Sequence, residues 1–93
     1  MFVIVFSARA KRSLKKLKRN GLFRREKLES ALEMLRRGER LPISYHDHAL
    51  QGELANVREF HLGYDVLVQY ARNNTQQTFI VNEIGTLSDL FGE

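Results

Sequence analysis

Residues 53–84, ELANVREFHLGYDVLVQYARNNTQQTFIVNEI, decide the fold of this 93-residue chain. The stretch holds three runs rich in β-branched and aromatic residues, and apolar and polar side chains alternate most clearly in the middle run. Residues typical of turns, Leu62-Gly63 and Arg72-Asn73-Asn74-Thr75, separate the runs. We therefore predict three consecutive strands joined by tight turns, over about Glu53–His61, Tyr64–Ala71 and Gln77–Ile84.

The N-terminal part of the chain predicts one more strand and two helices. Five consecutive apolar residues at positions 2–6 indicate a buried strand. Ser7 is suited to cap a helix over about residues 8–20, and Gly21 after Asn20 is a typical helix stop. A second helix is expected over about residues 22–37, because its apolar side chains recur at helical spacing.

The predicted order is β-α-α-β-β-β, an α+β fold with a helical hairpin on one face of a small, mainly antiparallel sheet. A loop follows the second helix from Leu41-Pro42 to about Gln51-Gly52, because Pro42 pushes Leu41 out of helical geometry. The chain length and a hydrophobic content of 43% suit one domain with one core, spanning residues 1–93.

Charge is divided unevenly along the chain. Residues 1–42 carry a net charge of +9, whereas residues 43–93 carry −5. A basic half indicates an anionic partner, either nucleic acid or an acidic protein, although two well-solvated helices would show the same pattern. The candidates for contacts with RNA phosphates are the basic side chains of the first predicted helix: Lys11, Arg12, Lys15, Lys16, Lys18 and Arg19.

Composition limits the class of protein further. The chain has no cysteine, so it has neither a disulfide nor a thiolate metal site, which suits the cytoplasm. No apolar run approaches the ~18–20 residues that span a bilayer, and we expect no membrane association. The sequence has no glycine-rich phosphate loop and no zinc finger, so we expect neither a cofactor nor a metal.

All three histidines, His46, His48 and His61, fall within sixteen residues, and Arg58 is close by in sequence. Histidine changes its charge nearest to neutral pH. We interpret His48 and His61 as a pair that transfers protons and Arg58 as a phosphate-binding cation, a minimal set for cutting RNA without a metal. On spacing alone, a solvated polar residue is the commoner outcome for each of them. A metal site on His46, Asp47 and His48 lacks a third convincingly spaced ligand.

Strand geometry relates these residues to their neighbours. A tight turn centred on Gly63 would place Asp65 across from His61, where its carboxylate could accept a hydrogen bond from the ring and fix the tautomer. Alternation puts Glu59 and His61 on one face of their strand and Arg58 on the other. Arg58 therefore joins the site only through strand twist, a bulge or the end of the sheet.

Three segments of the chain form a familiar combination: Asp-His-x-Leu-x-Gly, then Arg-acid-x-His, then Gly-Thr followed by Leu-Phe-Gly. The residues that carry it are Leu41, Pro42, Tyr45, Asp47, His48, Leu50, Gly52, Arg58, Glu59, His61, Asp65, Tyr70, Gly85, Thr86, Leu90, Phe91 and Gly92. With this combination the chain resembles the YafQ-like branch of the RelE toxin superfamily over essentially its whole length.

The resemblance implies a RelE-like fold and the role of endoribonuclease in a bacterial type II toxin–antitoxin pair. Such toxins cut mRNA in the ribosomal A site, which implies contacts with 16S rRNA. A cognate antitoxin, here expected to be a small acidic protein, silences them, and the complex usually represses its own operon, with operator DNA bound through the antitoxin. Carried over by position, the resemblance places His48, His61 and Asp65 in the catalytic set and Phe91 at the C-terminal aromatic position.

Two residues depart from the family pattern. Glu83 stands where the last strand generally supplies an arginine, and Leu87 stands where a histidine is usual. A carboxylate does not stabilise a phosphorane, and leucine does not transfer a proton. The alternative hypothesis is therefore a catalytically weakened member that acts mainly by binding its antitoxin and regulating the operon. A third hypothesis is a plain basic RNA-binding module.

Overall fold

A computed structural model describes residues 1–21, 24–50, 56–63 and 65–86 of the chain. Its elements follow the order β-α-α-β-β-β-β, with a short 3₁₀ turn over Ile43–Tyr45 before the second strand. Their bounds are β1 Val3–Phe6, α1 Ala8–Asn20, α2 Arg25–Arg36, β2 His48–Ala49, β3 Val57–Leu62, β4 Val66–Asn73 and β5 Thr78–Thr86.

The five strands form one sheet in the order β1-β5-β4-β3-β2. β1 pairs with β5 in parallel, from Val3 beside Thr78 to Phe6 beside Val81, and the other three pairings are antiparallel. The predicted α+β class and mainly antiparallel sheet are therefore confirmed. A register shift between Gln69 and Tyr70 marks a β-bulge in the central pairing of β4 with β5.

Local sequence signals set the ends of α1. The Ser7 hydroxyl accepts a hydrogen bond from the Ala10 amide at 3.0 Å and donates one to the Asn82 carbonyl at 2.9 Å, so one side chain both caps the helix and ties it to β5. At the other end Gly21 adopts the left-handed conformation with φ of 69°. Both signals were predicted, because capping depends on a few adjacent residues.

The core lies between the helices and one face of the sheet. The side chains of Ala10 and Leu17 on α1 and those on α2 meet the inward-facing residues of the strands. These sheet residues share one side of the strands because they occupy alternate positions. The buried cluster includes Leu28, Ala31, Leu35, Phe60, Leu62, Val66, Val68, Tyr70, Phe79, Val81 and Ile84. The opposite face of the sheet is consequently the one available to solvent and ligands.

The prediction of β1 as a fully buried strand is wrong. Val3 is 61% exposed and Val5 44% exposed, whereas Ile4 and Phe6 pack against the core. β1 is an edge strand of the sheet, and the helices cover only one of its two faces. Only the alternate residues that point to the covered face therefore need to be apolar. A continuous apolar run does not distinguish this case from burial on both faces.

The segment from Leu41 onwards is more ordered than predicted, because it contains the 3₁₀ turn and β2. The later strands also begin one to four residues and end one or two residues after their predicted positions, which is usual for boundaries read from sequence. The predictions for residues 22–23, 51–55, 64 and 87–93 lie outside the described residues. Of the helices that the structure describes, neither combines the length and the apolar character needed to cross a bilayer.

Candidate active site

The pairing of β2 with β3 brings the histidines together on the open face of the sheet. His48 lies opposite Glu59, and its Nε2 is 3.4 Å from the Glu59 carboxylate. His61 projects from the same face of β3 two residues further on. Its ring centroid is 6.2 Å from that of His48 and 5.3 Å from that of His46. The predicted convergence of His48 and His61 is therefore observed.

A row of polar side chains crosses the sheet from this cluster. Residues opposite one another in register are His48, Glu59, Gln69 and Glu83, one from each of four strands. The Gln69 amide donates to the other oxygen of Glu59 at 3.0 Å. At the far end of the row, Arg9 from α1 forms an ion pair of 3.0 Å with Glu83. The row lines the open face with alternating hydrogen-bond acceptors and donors.

Asp47 anchors the loop that carries His46 and His48. Its carboxylate accepts hydrogen bonds from the Tyr70 hydroxyl at 3.0 and 3.1 Å and from Arg58 Nε at 3.2 Å. Burial raises the pKa of the Tyr70 phenol, and the adjacent Asp47 charge raises it further, so Tyr70 remains a donor at neutral pH. Because Asp47 directly precedes His48, this anchor fixes where β2 begins.

His48 is held through both ring nitrogens. Nδ1 lies 2.7 Å from the His46 carbonyl, which can only accept a hydrogen bond, so Nδ1 carries a proton. Nε2 faces the Glu59 carboxylate, which also can only accept when ionised. Glu59 is buried, and its exposed fraction is 5%. Each ring nitrogen of His48 therefore faces an oxygen atom, one from the backbone and one from a carboxylate.

The surroundings of His61 disfavour its protonated form. Burial lowers its pKa from the ordinary value of 6.5, and His46 lowers it further. The Glu59 charge acts in the other direction, and His48 and Lys27 lower the pKa by smaller amounts. His61 is consequently the imidazole of the pair that favours the neutral form. Two neighbouring histidines with contrasting environments suit one proton acceptor and one proton donor.

Two predicted members of the site lie elsewhere. Arg58 faces the opposite side of β3 from Glu59 and His61, where it pairs with Asp47. The prediction that Asp65 lies opposite His61 is wrong, because the strand partner of His61 is Leu67. Leu62 and Val66 form the last residue pair of the hairpin, and both are buried in the core. This register places Asp65 in the connection between the strands, so it has no partner position on β3.

Three polar residues of the histidine cluster and the polar row were missed by the sequence interpretation. Gln69 could have been found from the alternation of β4, since it shares a face with Glu59 once the strands are paired. Lys27 on α2 is close enough for its charge to lower the pKa of His61, and its Nζ lies 5.0 Å from the centre of the Tyr45 ring. Nothing in the sequence indicates that Arg9 reaches Glu83.

The remaining predicted residues divide into two groups. The six basic residues of α1 are all exposed, as expected for a surface that meets an anionic partner: Lys11, Arg12, Lys15, Lys16, Lys18 and Arg19. Phe91 lies outside the described residues, as does Leu87, the position of one departure from the family pattern.

The cluster also contains donors typical of a metal site. One ligand atom from each of His48, Glu59 and His61 lies within 4.8 Å of the other two. Imidazole nitrogen and carboxylate oxygen are a donor set used for zinc and copper. The sequence interpretation considered His46, Asp47 and His48 instead and missed this combination, because Glu59 and His61 are supplied by a different strand.

Comparison with known proteins agrees with the fold and identifies the family. A family model described as "Bacterial toxin of type II toxin-antitoxin system, YafQ" matches residues 2–92. The chain belongs to the YafQ family of bacterial type II toxins. The predicted family is thus confirmed, and the match includes both the histidine segment and the C-terminal segment of the motif. No curated protein gives a significant match.

Solved structures of YafQ-like toxins superimpose closely on the chain. A metal-bound toxin from Helicobacter pylori is 33% identical, with a TM-score of 0.89 over 98% of this chain and 100% of the other. A copper-bound mutant toxin from the same organism is 30% identical, with a TM-score of 0.90 and the same coverage. YafQ in the DinJ–YafQ toxin–antitoxin complex of Escherichia coli is 25% identical, with a TM-score of 0.85 over 98% of each chain.

We predict that Tyr70→Phe destabilises the protein by about 1.5–3 kcal/mol, because it removes the hydroxyl that donates to the Asp47 carboxylate. Tyr45→Phe is the matched control, since its hydroxyl donates only to the Lys27 carbonyl at 3.4 Å, and should cost less than about 1 kcal/mol. Urea unfolding of both variants measures the difference. Equal losses of stability would contradict the anchoring role of Asp47.

We also predict that His46→Ala raises the pKa of His61 towards 6.5, because it removes a neighbouring imidazole that opposes protonation and exposes the His61 ring to more water. NMR titration of the His61 ring protons measures the change. Ser44→Ala, an exposed position in the same segment, serves as the control and should leave this pKa where it is. A pKa that stays low in the His46 variant would show that another group controls His61.

Proposed function

We propose that this YafQ-family toxin is an endoribonuclease that cuts mRNA on the ribosome by attack of a ribose 2′-hydroxyl. The observation that carries the proposal is the pair of imidazoles on the open face of the sheet, with ring centroids 6.2 Å apart and contrasting surroundings. Their nearest ligand-type nitrogens lie within 4.8 Å, close enough for both to reach one phosphodiester group. Such a reaction needs an acid, a base and a cation.

The two histidines take different roles in the proposed reaction. His61, whose lowered pKa favours the neutral form, removes the proton from the 2′-hydroxyl. The 2′-oxygen then bonds to phosphorus, and the bond from phosphorus to the 5′-oxygen breaks, leaving a 2′,3′-cyclic phosphate. His48, whose ring is positioned by the His46 carbonyl and Glu59, gives a proton to the departing 5′-oxygen. Each proton-transfer group typically contributes ~10²–10⁴-fold to the rate.

The cation at the phosphate cannot be Arg58 in this arrangement, because Arg58 faces the other side of the sheet. Lys27 is the better candidate, since its charge already acts on His61. Arg9 pairs with Glu83 at the far end of the polar row, and the Glu83 backbone is three strand spacings, or about 14 Å, from that of His48. Arg9 is therefore suited to a phosphate of a neighbouring nucleotide, and the row gives the RNA a path across the sheet.

The partner that we propose is a small acidic antitoxin, as DinJ is the partner of YafQ in the Escherichia coli complex. Its proposed binding surface is a groove of about 720 Å³ between β1 and α1. The groove has apolar walls, Ile4, Phe6 and Leu14, and a rim of Lys11, Arg12, Lys15 and Lys18. An amphipathic acidic segment complements both features. Operator DNA would be bound through the antitoxin, and the place of action would be the cytoplasm, where ribosomes are.

A second candidate property of the same site is binding of copper or zinc. One of the two Helicobacter pylori toxins is metal-bound and the other, a mutant, is copper-bound, and His48, Glu59 and His61 supply a suitable donor set in this chain. A bound ion would neutralise negative charge at the site. It would also occupy the ring nitrogens that the proposed reaction needs, so we expect binding to inhibit cleavage rather than support it.

The test of cleavage compares the purified chain with His48→Ala and His61→Ala on ribosomes carrying mRNA, with primer extension to locate the cuts. We expect each variant to cleave at least about 100-fold more slowly, because each removes one proton-transfer group. Arg25→Gln is the control, since Arg25 is an exposed α2 residue paired with Glu29. Binding of the antitoxin should be unchanged in all variants.

Two results would contradict the proposal in different ways. Full cleavage by both histidine variants would show that these imidazoles do not transfer the protons. Absence of cleavage by the unaltered chain, with antitoxin binding retained, would support the alternative of a catalytically weakened member, which Glu83 on the polar row favours.

Metal dependence is tested separately. We expect treatment of the chain with EDTA, removed before ribosomes in Mg²⁺ buffer are added, to leave cleavage unchanged, and one equivalent of Zn²⁺ or Cu²⁺ to reduce it. Calorimetric titration should give one ion per chain, and Glu59→Gln should bind more weakly because it loses a charged ligand. Loss of cleavage on chelation would overturn the metal-independent reaction, and undiminished binding by Glu59→Gln would overturn the proposed donor set.

A further inference from the structure

A cavity of about 550 Å³ opens on the side of the sheet opposite the histidines. It lies between the end of α2, the segment that leads to β2 and the ends of β3, β4 and β5. Its floor is formed by buried side chains, among them Leu35, Tyr70 and Phe79. Its rim is formed by exposed residues, including Arg40 and Arg72. Neither His48 nor His61 lines it, so the inference below goes beyond the proposed function.

Positive charge is in excess around this cavity. Of the two carboxylates that line it, Asp47 is bound by Arg58, and Glu39 lies 3.6 Å from Arg37 outside the cavity. Arg40 and Arg72, by contrast, have no carboxylate within ion-pair distance among the residues that the structure describes. Two guanidinium groups are therefore left to attract an anion from outside.

Packing holds one of these groups in a defined orientation. The guanidinium carbon of Arg72 lies 4.5 Å from the centre of the Phe2 ring and 5.6 Å from that of Phe79. Stacking of this kind uses the flat face of the guanidinium and leaves the N–H groups at its edge available. A planar group presented in this way is suited to bind a carboxylate through two parallel hydrogen bonds.

Apolar side chains accompany these cations. Leu41 and Pro42 line the cavity, and Ile43 at its rim has 92% of its surface exposed. Tyr70 and Phe79 are only 2% and 3% exposed, so neither offers a free ring face on which a nucleic acid base could stack. The combination of cations with an aliphatic edge thus favours a peptide over RNA.

We propose that this cavity is a docking site for an acidic segment of a protein partner. In the proposed complex, Arg72 and Arg40 bind glutamate or aspartate side chains of the segment. A neighbouring leucine-type side chain of the partner covers Ile43 and Leu41. The complex would remove the exposed Ile43 side chain from water and give each of the two guanidinium groups a carboxylate partner.

The probe for this site is the blocked peptide acetyl-ELEL-amide, titrated into the ¹⁵N-labelled full chain and followed by NMR. We expect the side-chain N–H signals of Arg40 and Arg72 and the amide of Ile43 to shift with one dissociation constant. Arg72→Gln and Arg40→Gln should each weaken binding about tenfold. Arg40 lies in an exposed segment, so its variant keeps the test valid if Arg72→Gln impairs folding through its contacts with Phe2 and Phe79.

Three comparisons can overturn the proposal. Equal binding of the neutral peptide acetyl-QLQL-amide would show that carboxylates are not recognised, and tighter binding of adenosine monophosphate at the same signals would identify a phosphate site instead. Unchanged peptide binding by both arginine variants would place the contact elsewhere. His61→Ala should bind the peptide as the unaltered chain does, which separates this result from any failure of the proposed cleavage.

Discussion

The Asp47 carboxylate, held by the Tyr70 hydroxyl and Arg58, is the interaction on which the arrangement of the histidines depends. A two-residue strand such as β2 has few hydrogen bonds of its own and would not be fixed by pairing alone. The carboxylate ties the residue before β2 to Arg58 near the start of β3 and to Tyr70 in the middle of β4. His48 is thereby placed opposite Glu59, and His46 is held close enough to influence His61.

The two faces of the sheet differ in composition. One face is apolar, is covered by both helices and supplies the stability of the fold. The other carries the polar row and the imidazoles. Arg58 shows how strictly strand alternation enforces the division, because it is adjacent to Glu59 in sequence and yet contributes to the opposite face. Lys27, a basic residue from helix α2, acts through its charge on His61, whereas Arg58 faces away from it.

Much of the fold could be predicted from the sequence, because its signals are local. Capping by Ser7, the stop at Gly21 and the alternation of Val66, Val68 and Tyr70 each depend on residues a few positions apart. Predictions that needed long-range information were less successful. The register of β3 with β4 depends on which apolar pair is buried, and this placed Leu67 opposite His61. The pairing of Arg9 with Glu83 joins distant parts of the chain, and no spacing rule anticipates it.

The parallel pairing of β1 with β5 has a consequence for how the toxin is made. The first strand finds its partner only after some seventy further residues, and Ser7 is tied to Asn82 in the same way. Contacts so far apart in sequence form late, because a long loop must close first. During translation the N-terminal strand and helix emerge well before their partner strand exists. A nascent chain therefore cannot complete its sheet until β5 has left the ribosome, which delays the appearance of folded toxin in the cell that produces it.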